Sequence, residues 1–453
     1  MTLGTVQACF NVDYVKSCTN FFSQPFCSVC SGSFASELNL SLPFIHDKHY
    51  SDVEYTISCL NPKLSNSTQT LDNLVKLCYT SCTPFSFVAY TKDNMVYFGV
   101  DKWSSSPLLA FHSSTEFLLA TYIPSFLRCS HTFCKEVPPG VFKLDLSTGS
   151  ISSPFPPPCL PPPPLTFLIN DIGDTIPAPS FSITSLVTAI DHILTPLPFQ
   201  EVHVSFSGGL DSTLIAFAAA QWSLQQKRKR SINLYNVSFD DEAVDRHNAI
   251  TSYNQLKSLF PKVVFTLTSP DFSVDDVMSL RESAMYACLP KTTVMDINIS
   301  TSLLAGFSSV SDPHVPNPIV LMGQSADELF VGYHRFQSVF KNHGDAALAS
   351  SVNNARHSLI SGLCRDVRTA SSASISLGFP FLYHEVVALA MAVPHRFHIQ
   401  DNGDGFKDKV LLRREAKKLG LDCAGFSKKA IQFGSRSAKY FGNSKKGTDV
   451  VSV

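Results

Sequence analysis

The chain has 453 residues, with 36 Lys and Arg against 37 Asp and Glu, for a formal net charge of −1. That balance offers no basic footprint for nucleic acid or an anionic membrane, and 44% hydrophobic residues exclude wholesale disorder. No apolar run reaches the ~18–20 residues that span a bilayer, and Met1 to Tyr14 lack the basic and apolar regions of a secretory signal. A soluble cytoplasmic protein of two domains is expected.

Ten of the 13 cysteines, Cys9 to Cys159, fall in the first 160 residues. Cys27, Cys30, Cys129 and Cys134 could supply a zinc site, but no second C-x-x-C or paired histidine provides the usual spacing, and reduced thiols are the plainer reading. Phe85–Tyr90, a turn over 91–94 and Met95–Phe98 read as a hairpin, with further short strands at Glu116–Tyr122 and Gly140–Leu146. From Ser153 to Leu165 the chain reads SPFPPPCLPPPPL, eight of its 28 prolines within eleven residues. This is a stiff polyproline spacer, with an SH3 or WW ligand as the alternative. Expected boundaries are therefore 1–152, a linker over 153–165, a second domain over 166–440 and a flexible tail over 441–453.

Beyond the linker, apolar residues from Ile183 to Leu194 form one helical stripe. Strands at Val202–Phe206, Ile232–Phe239, Val263–Thr268 and Ile319–Met322 alternate with helices over Ser212–Gln226 and Ala243–Leu259. Alternation of this kind predicts a parallel sheet with ligands at the strand C-terminal ends. A helix over Lys409–Leu419 is closed by Gly420. Lys227–Arg230 reads as a solvated helix end, with a localisation signal as the alternative, and Ala388–Val393 as core.

After Val202–Phe206 comes Ser207-Gly208-Gly209-Leu210-Asp211-Ser212. Two glycines expose successive N–H groups, a helix N-terminus follows, and two hydroxyls flank them, which together make an anion cradle. Asp211 fits a phosphate pocket only if a divalent cation bridges it to the phosphates. A plain turn with Asp or Ser as the N-cap is the alternative.

S-G-G-x-D-S resembles the pyrophosphate loop of ATP-pyrophosphatase enzymes. Gly323-Gln324-Ser325-Ala326-Asp327-Glu328-Leu329-Phe330-Val331-Gly332-Tyr333 resembles the asparagine synthetase segment G-E-G-S-D-E-L-F-x-G-Y. Gly378-Phe379-Pro380-Phe381-Leu382 is similar to that family's R-x-P-F-L, and Lys428-Lys429-Ala430-Ile431-Gln432-Phe433-Gly434 to its lysine-bearing loop. Tyr97–Asp101, Pro107–Leu109 and Glu136–Gly140 echo its glutaminase domain. The resemblance implies an α/β protein in two domains. The first is an antiparallel, Ntn-hydrolase-like domain of the type 2 glutamine amidotransferase kind. The second is an adenine-nucleotide α-hydrolase-like ATP-pyrophosphatase domain with a parallel sheet and helical tail.

It further implies ATP and Mg2+, with Ser207, Gly208, Gly209, Asp211, Ser212 and Gly323 around the phosphates and Val237, Ser238 and Phe239 on the adenine side. Asp211 and Asp327 would hold the metal, and Lys429 would face the transition state, with Lys428 as the alternative. The implied substrates are a small carboxylate (aspartate or an analogue) and ammonia, with a homodimer left open as the assembly. A tRNA-modifying enzyme with the same loop would need a basic surface that this chain lacks. Gln324 stands where the family has Glu, and an amide cannot act as a general base. Ser376, Gly378 and Tyr383 replace the family's Glu, Arg and Asp. Thr2 replaces its nucleophilic cysteine, so the glutaminase half is expected to be inactive. A nucleotide-binding pseudoenzyme or scaffold is the alternative function.

Overall fold

The computed structural model describes residues 7–11, 38–41, 86–91, 95–101, 103, 107–112, 116–120, 133–145, 147–148, 150–152, 180–195, 200–315, 317–399, 405–427, 431–437 and 447–451. The expected proline linker, Thr2, Cys27, Cys30, Cys129, Lys428 and Lys429 lie outside them. The chain divides into two compact units, one of residues 1–160 with 286–291 and 360–372, the other of the remainder. Among the described residues no helix is long and apolar enough to cross a membrane.

The first unit holds two antiparallel sheets. Strands β1 (Gln7–Asn11), β5 (Leu109–His112), β6 (Glu116–Ala120) and β7 (Phe133–Glu136) form one in the order β1-β6-β5-β7. The other runs β2-β3-β4-β8-β9, from β2 (Leu38–Ser41), β3 (Ser86–Thr91), β4 (Met95–Val100), β8 (Gly140–Asp145) and β9 (Ile151–Ser152). The expected hairpin is β3–β4, in the register Val88↔Phe98. Val96, Phe98 and Val100 of β4, Leu144 of β8 and Leu119 of β6 share one buried cluster, so alternate residues of both sheets meet in a common core. Within this unit the Arg368 guanidinium pairs with Glu136 at 2.8 Å and donates to the Cys288 carbonyl at 3.1 Å.

The second unit is built on five parallel strands, β10 (Val202–Ser205), β11 (Ile232–Tyr235), β12 (Phe265–Thr268), β13 (Ile319–Leu321) and β14 (Ser376–Gly378), in the order β12-β11-β10-β13-β14. The chain thus lays down three strands in one direction, returns to the middle and continues the other way, so the order reverses between β10 and β13. Helices α1 (Ile183–Leu194), α2 (Leu210–Gln225), α3 (Val244–Leu259), α4 (Val274–Ala287), α5 (Val294–Phe307), α6 (Ala326–Leu329), α7 (His334–Ser372, broken at Gly344), α8 (His384–Ala392), α9 (Val410–Lys418) and α10 (Ile431–Gly434) complete the described elements. α2 is buried nearly all round, and its Trp222 indole donates to Asp191 of α1 at 2.8 Å. The exposed Lys227–Lys229 follow its end, and Arg230 lies over Trp222 at 4.8 Å.

Three histidines of the second unit have their pKa lowered from the ordinary imidazole value. His203 of β10 lies between the Tyr235 hydroxyl (3.1 Å) and Asp312 (2.8 Å), and burial outweighs that carboxylate and keeps its pKa below the ordinary value. Burial and the nearby Arg356 lower His395 to about 4. Burial, His395 and Arg356 lower His398 to about 3. Below the unfolded-state value of 6.5 the unfolded chain binds more protons than the folded one, so stability must fall with pH. Urea unfolding, followed by the two tryptophans (one in each unit), should lose on the order of 1 kcal/mol per pH unit for each of His395 and His398 between about pH 6.5 and 4 in the second unit. A flat midpoint over that range would refute this.

Candidate active site

The reversal of strand order leaves a crevice between the chain segments that leave β10 and β13. After β10, Gly208 adopts a left-handed φ of +69°, and a Cβ there would sit 2.2 Å from the Asn248 and Ala249 backbone. The Ser252 hydroxyl donates to the Gly208 carbonyl at 2.8 Å, so the loop is pressed onto α3. Gly209 is the N-cap of α2 and makes no side-chain cap. Asp211 and Ser212 therefore do not cap the helix but lie inside its first turn, which removes the plain capping alternative. Ser212 Oγ lies 3.3 Å from Ser207 Oγ.

After β13, Gly323 packs so closely that a Cβ would lie 3.1 Å from the Asp211 Cβ. Ser325 then takes φ +73° and opens the one-turn helix α6, which carries Asp327. Gln324 is half-buried in this turn, and its carbonyl accepts from the Ser325 hydroxyl. From behind, the buried Arg356 donates to the carbonyls of Glu328 and Leu329 at 3.2 Å each, and so fixes the C-terminal end of α6. The Tyr333 hydroxyl donates to Glu328 Oε1 at 2.5 Å.

Asp211 and Asp327 meet on a group that sequence reasoning treated only as the first residue of a helix. Lys409 Nζ lies 2.6 Å from Asp211 Oδ2 and 2.7 Å from Asp327 Oδ1, with the lysine side chain 2% exposed. An ammonium at a helix N-terminus opposes the helix dipole, and Lys409, with φ +45°, is the N-cap of α9. The two carboxylates supply the compensation. Arg413, one turn on, bonds Asp408 and the carbonyls of Ala424 and Phe426, which fixes the backbone beside Lys409. Ser325, Val331 and Lys409 all carry positive φ around this cluster, and strain of this kind collects at functional sites. The available signal was a lysine placed against its own helix dipole and four residues before an arginine, but its partners lie 198 and 82 positions away by number.

On the other side of the glycine loop, β11 stops at Tyr235 rather than running to Phe239. The Asn236 amide donates to the carbonyls of Phe206 and Asp245, which turns the chain out of the sheet. Val237 then lines a pocket with Ser207, Asp245, Ser302, Gly306 and Ile431. Ser238 is buried and accepts from Arg246 Nε at 2.7 Å. Phe239 turns into an apolar cluster with Val277 and Ala305. Its N–H donates to the Ser435 carbonyl at 2.9 Å, and a Cβ on Gly434 would lie 2.3 Å from the Asp245 carboxylate. The segment 431–437 is thereby docked beside the pocket. Lys428 and Lys429 directly precede it in the chain.

The residues fit a nucleotide with a divalent cation. The loop presents a helix N-terminus for phosphate, and Asp211 Oδ1 is buried and accepts no hydrogen bond. Among the described residues no group of three or more His, Cys, Asp or Glu could hold a metal, so an ion here needs phosphate oxygens to complete its shell. Gly378 and Tyr383, two of the positions where the sequence departs from the resemblance, are closely packed. A Cβ on Gly378 would lie 3.0–3.2 Å from Leu321, Ile193 and Ile319, and Tyr383 is buried with its ring 5.0 Å from His192.

Gly332 makes the ion cluster possible, because a Cβ there would sit 2.1 Å from Lys409 Cε and 2.2 Å from Asp327 Oδ1. Gly332→Ala should cost about 1–3 kcal/mol in denaturant unfolding and weaken ATP binding about tenfold by calorimetry. Gly425→Ala, which meets nothing within 4 Å, should change neither.

Residues 199–364 match the asparagine synthase family model. The chain is 29% identical over 276 residues to asparagine synthetase domain-containing protein YML096W of Saccharomyces cerevisiae, covering 55% of this chain and 50% of that one. It is 27% identical over 268 residues to asparagine synthetase domain-containing protein CG17486 of Drosophila melanogaster, covering 54% and 46%. Against asparagine synthetase domain-containing protein 1 of Homo sapiens it is 27% identical over 222 residues, covering 45% and 34%. The chain thus spans half or less of the length of these relatives. The parallel sheet, the loop after β10 and the loop after β13 all fall within or beside the matched segment, so it is the parallel-sheet portion of the chain that is similar to an asparagine synthase domain.

Proposed function

We propose that the chain is an ATP-dependent, asparagine-synthetase-like amidoligase. The observation that carries this reading is the convergence of Asp211, Asp327 and Lys409 beside a glycine loop at the reversal of strand order. In the reaction, an oxygen of a small carboxylate (aspartate or an analogue) attacks the α-phosphorus of ATP and pyrophosphate leaves. Ammonia then adds to the resulting acyl-adenylate and AMP departs. A magnesium ion, when bound, neutralises triphosphate charge.

The chain's own groups divide the work. Ser207, Gly208, Gly209 and Ser212 cradle the phosphates with the amides at the start of α2. Asp211 and Asp327 hold the divalent ion, and Val237 flanks the adenine side. Lys429, which precedes residues 431–437 in the chain, is the residue that the resemblance implies would supply a cation for the α-phosphate. Gln324 sits where the amine arrives; it can orient ammonia by hydrogen bonds but cannot take its proton. The two packed antiparallel sheets of the first unit support an Ntn-hydrolase-like, glutaminase-type fold, and this half is read as lacking glutaminase activity.

Gln324 and the closed aliphatic packing around Gly378 favour a second reading, a nucleotide-binding pseudoenzyme of the same family. ATP–pyrophosphate exchange with magnesium and a panel of small carboxylates separates the two. Exchange that requires a carboxylate and disappears in Asp211→Ala is expected. A folded protein that binds ATP without exchange on any carboxylate would establish the second reading. With an active carboxylate, amide should form from ammonia but not from glutamine, and glutamine-dependent amide would overturn the inactive-glutaminase assignment.

A further inference from the structure

The Lys409 ammonium is not a surface counter-ion that happened to land on a carboxylate. Its side chain is 2% exposed and those of its partners 16% and 12%, so the three charges are largely withdrawn from water. Two independent features of the chain make room for it. Its backbone takes the left-handed conformation at the start of α9, and the missing side chain of Gly332 leaves the volume that Lys409 Cε and Asp327 Oδ1 share. Arg413 anchors the adjoining Asp408, so the lysine is presented from a fixed base.

We propose that Lys409 is the resident cation of the Asp211–Asp327 pair and sets the order of loading, so that the divalent ion enters with the nucleotide and not before it. This rests on the reading that Asp211 and Asp327 hold magnesium. With the lysine in place, two carboxylates and one ammonium leave a net charge of −1, so a divalent ion approaching the bare protein meets half the attraction of the free pair and a like charge beside it. A hard cation also wants more oxygens than two carboxylates give. The triphosphate supplies those oxygens and enough negative charge for both cations, so the lysine can turn toward phosphate while the metal takes the carboxylates.

The test is Mn2+ uptake followed by the electron paramagnetic resonance signal of the free ion, with and without α,β-methylene-ATP, which cannot release pyrophosphate. The nucleotide-free wild type should bind Mn2+ weakly, and the analogue should tighten binding at least tenfold. Lys409→Met should bind Mn2+ without nucleotide at least tenfold more tightly than the wild type, and adding Asp327→Asn should abolish that gain. Lys409→Arg, which keeps the charge, should stay near the wild type. Tight Mn2+ binding by the nucleotide-free wild type would overturn the loading order with no variant needed, and so would a folded Lys409→Met with unchanged affinity. If the analogue binds but no protein takes up Mn2+ in its presence, the assignment of Asp211 and Asp327 as metal ligands fails, and the loading order falls with it.

Discussion

Two carboxylates brought face to face in a crevice repel each other, and everything about this site follows from how that repulsion is met. The reversal of strand order between β10 and β13 places the loop bearing Asp211 beside the loop bearing Asp327. The cation that reconciles them comes from a third segment, at the start of α9. Glycines at 208 and 332 let backbone and side chains approach where a methyl group would not fit, and Gly323 lets the second loop pack tightly on Asp211. Arg356 behind α6 and Arg413 beside Lys409 then lock the two flanks with hydrogen bonds to carbonyl oxygens.

What could be read from the amino-acid order was whatever is local. The helical stripe from Ile183 to Leu194, the β3–β4 hairpin and the alternation of strands and helices after residue 200 all appear where spacing and turn residues place them. The anion loop was legible because a short apolar strand, two glycines and an apolar helix are consecutive. Boundaries were less so: β11 ends four residues early because the Asn236 side chain bonds the Phe206 and Asp245 carbonyls in place of ladder contacts. Phe239, read as lining the adenine side, is drawn into an apolar cluster by Val277 and Ala305, which no spacing rule connects to it. Lys409 was the main omission. A lysine at a helix start looks solvated unless its remote carboxylates are already known, and the same holds for the reason Gly332 must be glycine.

Substitution at a functional position can leave a gap or be filled, and the two outcomes differ physically. At Gly378 the space is filled, with Leu321, Ile193 and Ile319 closed over it, and Tyr383 is buried beside His192. A region that merely lost its charged groups would retain polar atoms in search of partners. Here the neighbours are aliphatic, while the loops after β10 and β13 carry charged and hydroxyl groups. The polar loops after β10 and β13 and the aliphatic packing around Gly378 are thus two physically different surroundings within one sheet.

The division of the chain into units does not follow its linear order. Residues 286–291 and 360–372 cluster with residues 1–160, and Arg368, fully buried, is neutralised there by Glu136. Cutting the polypeptide at its proline-rich stretch would leave the C-terminal fragment with a buried guanidinium stripped of its carboxylate, a defect of about 3–5 kcal/mol. The antiparallel unit is therefore not a product of the first 160 residues alone: two strips from far along the chain complete it, and one of them brings the cation that Glu136 meets.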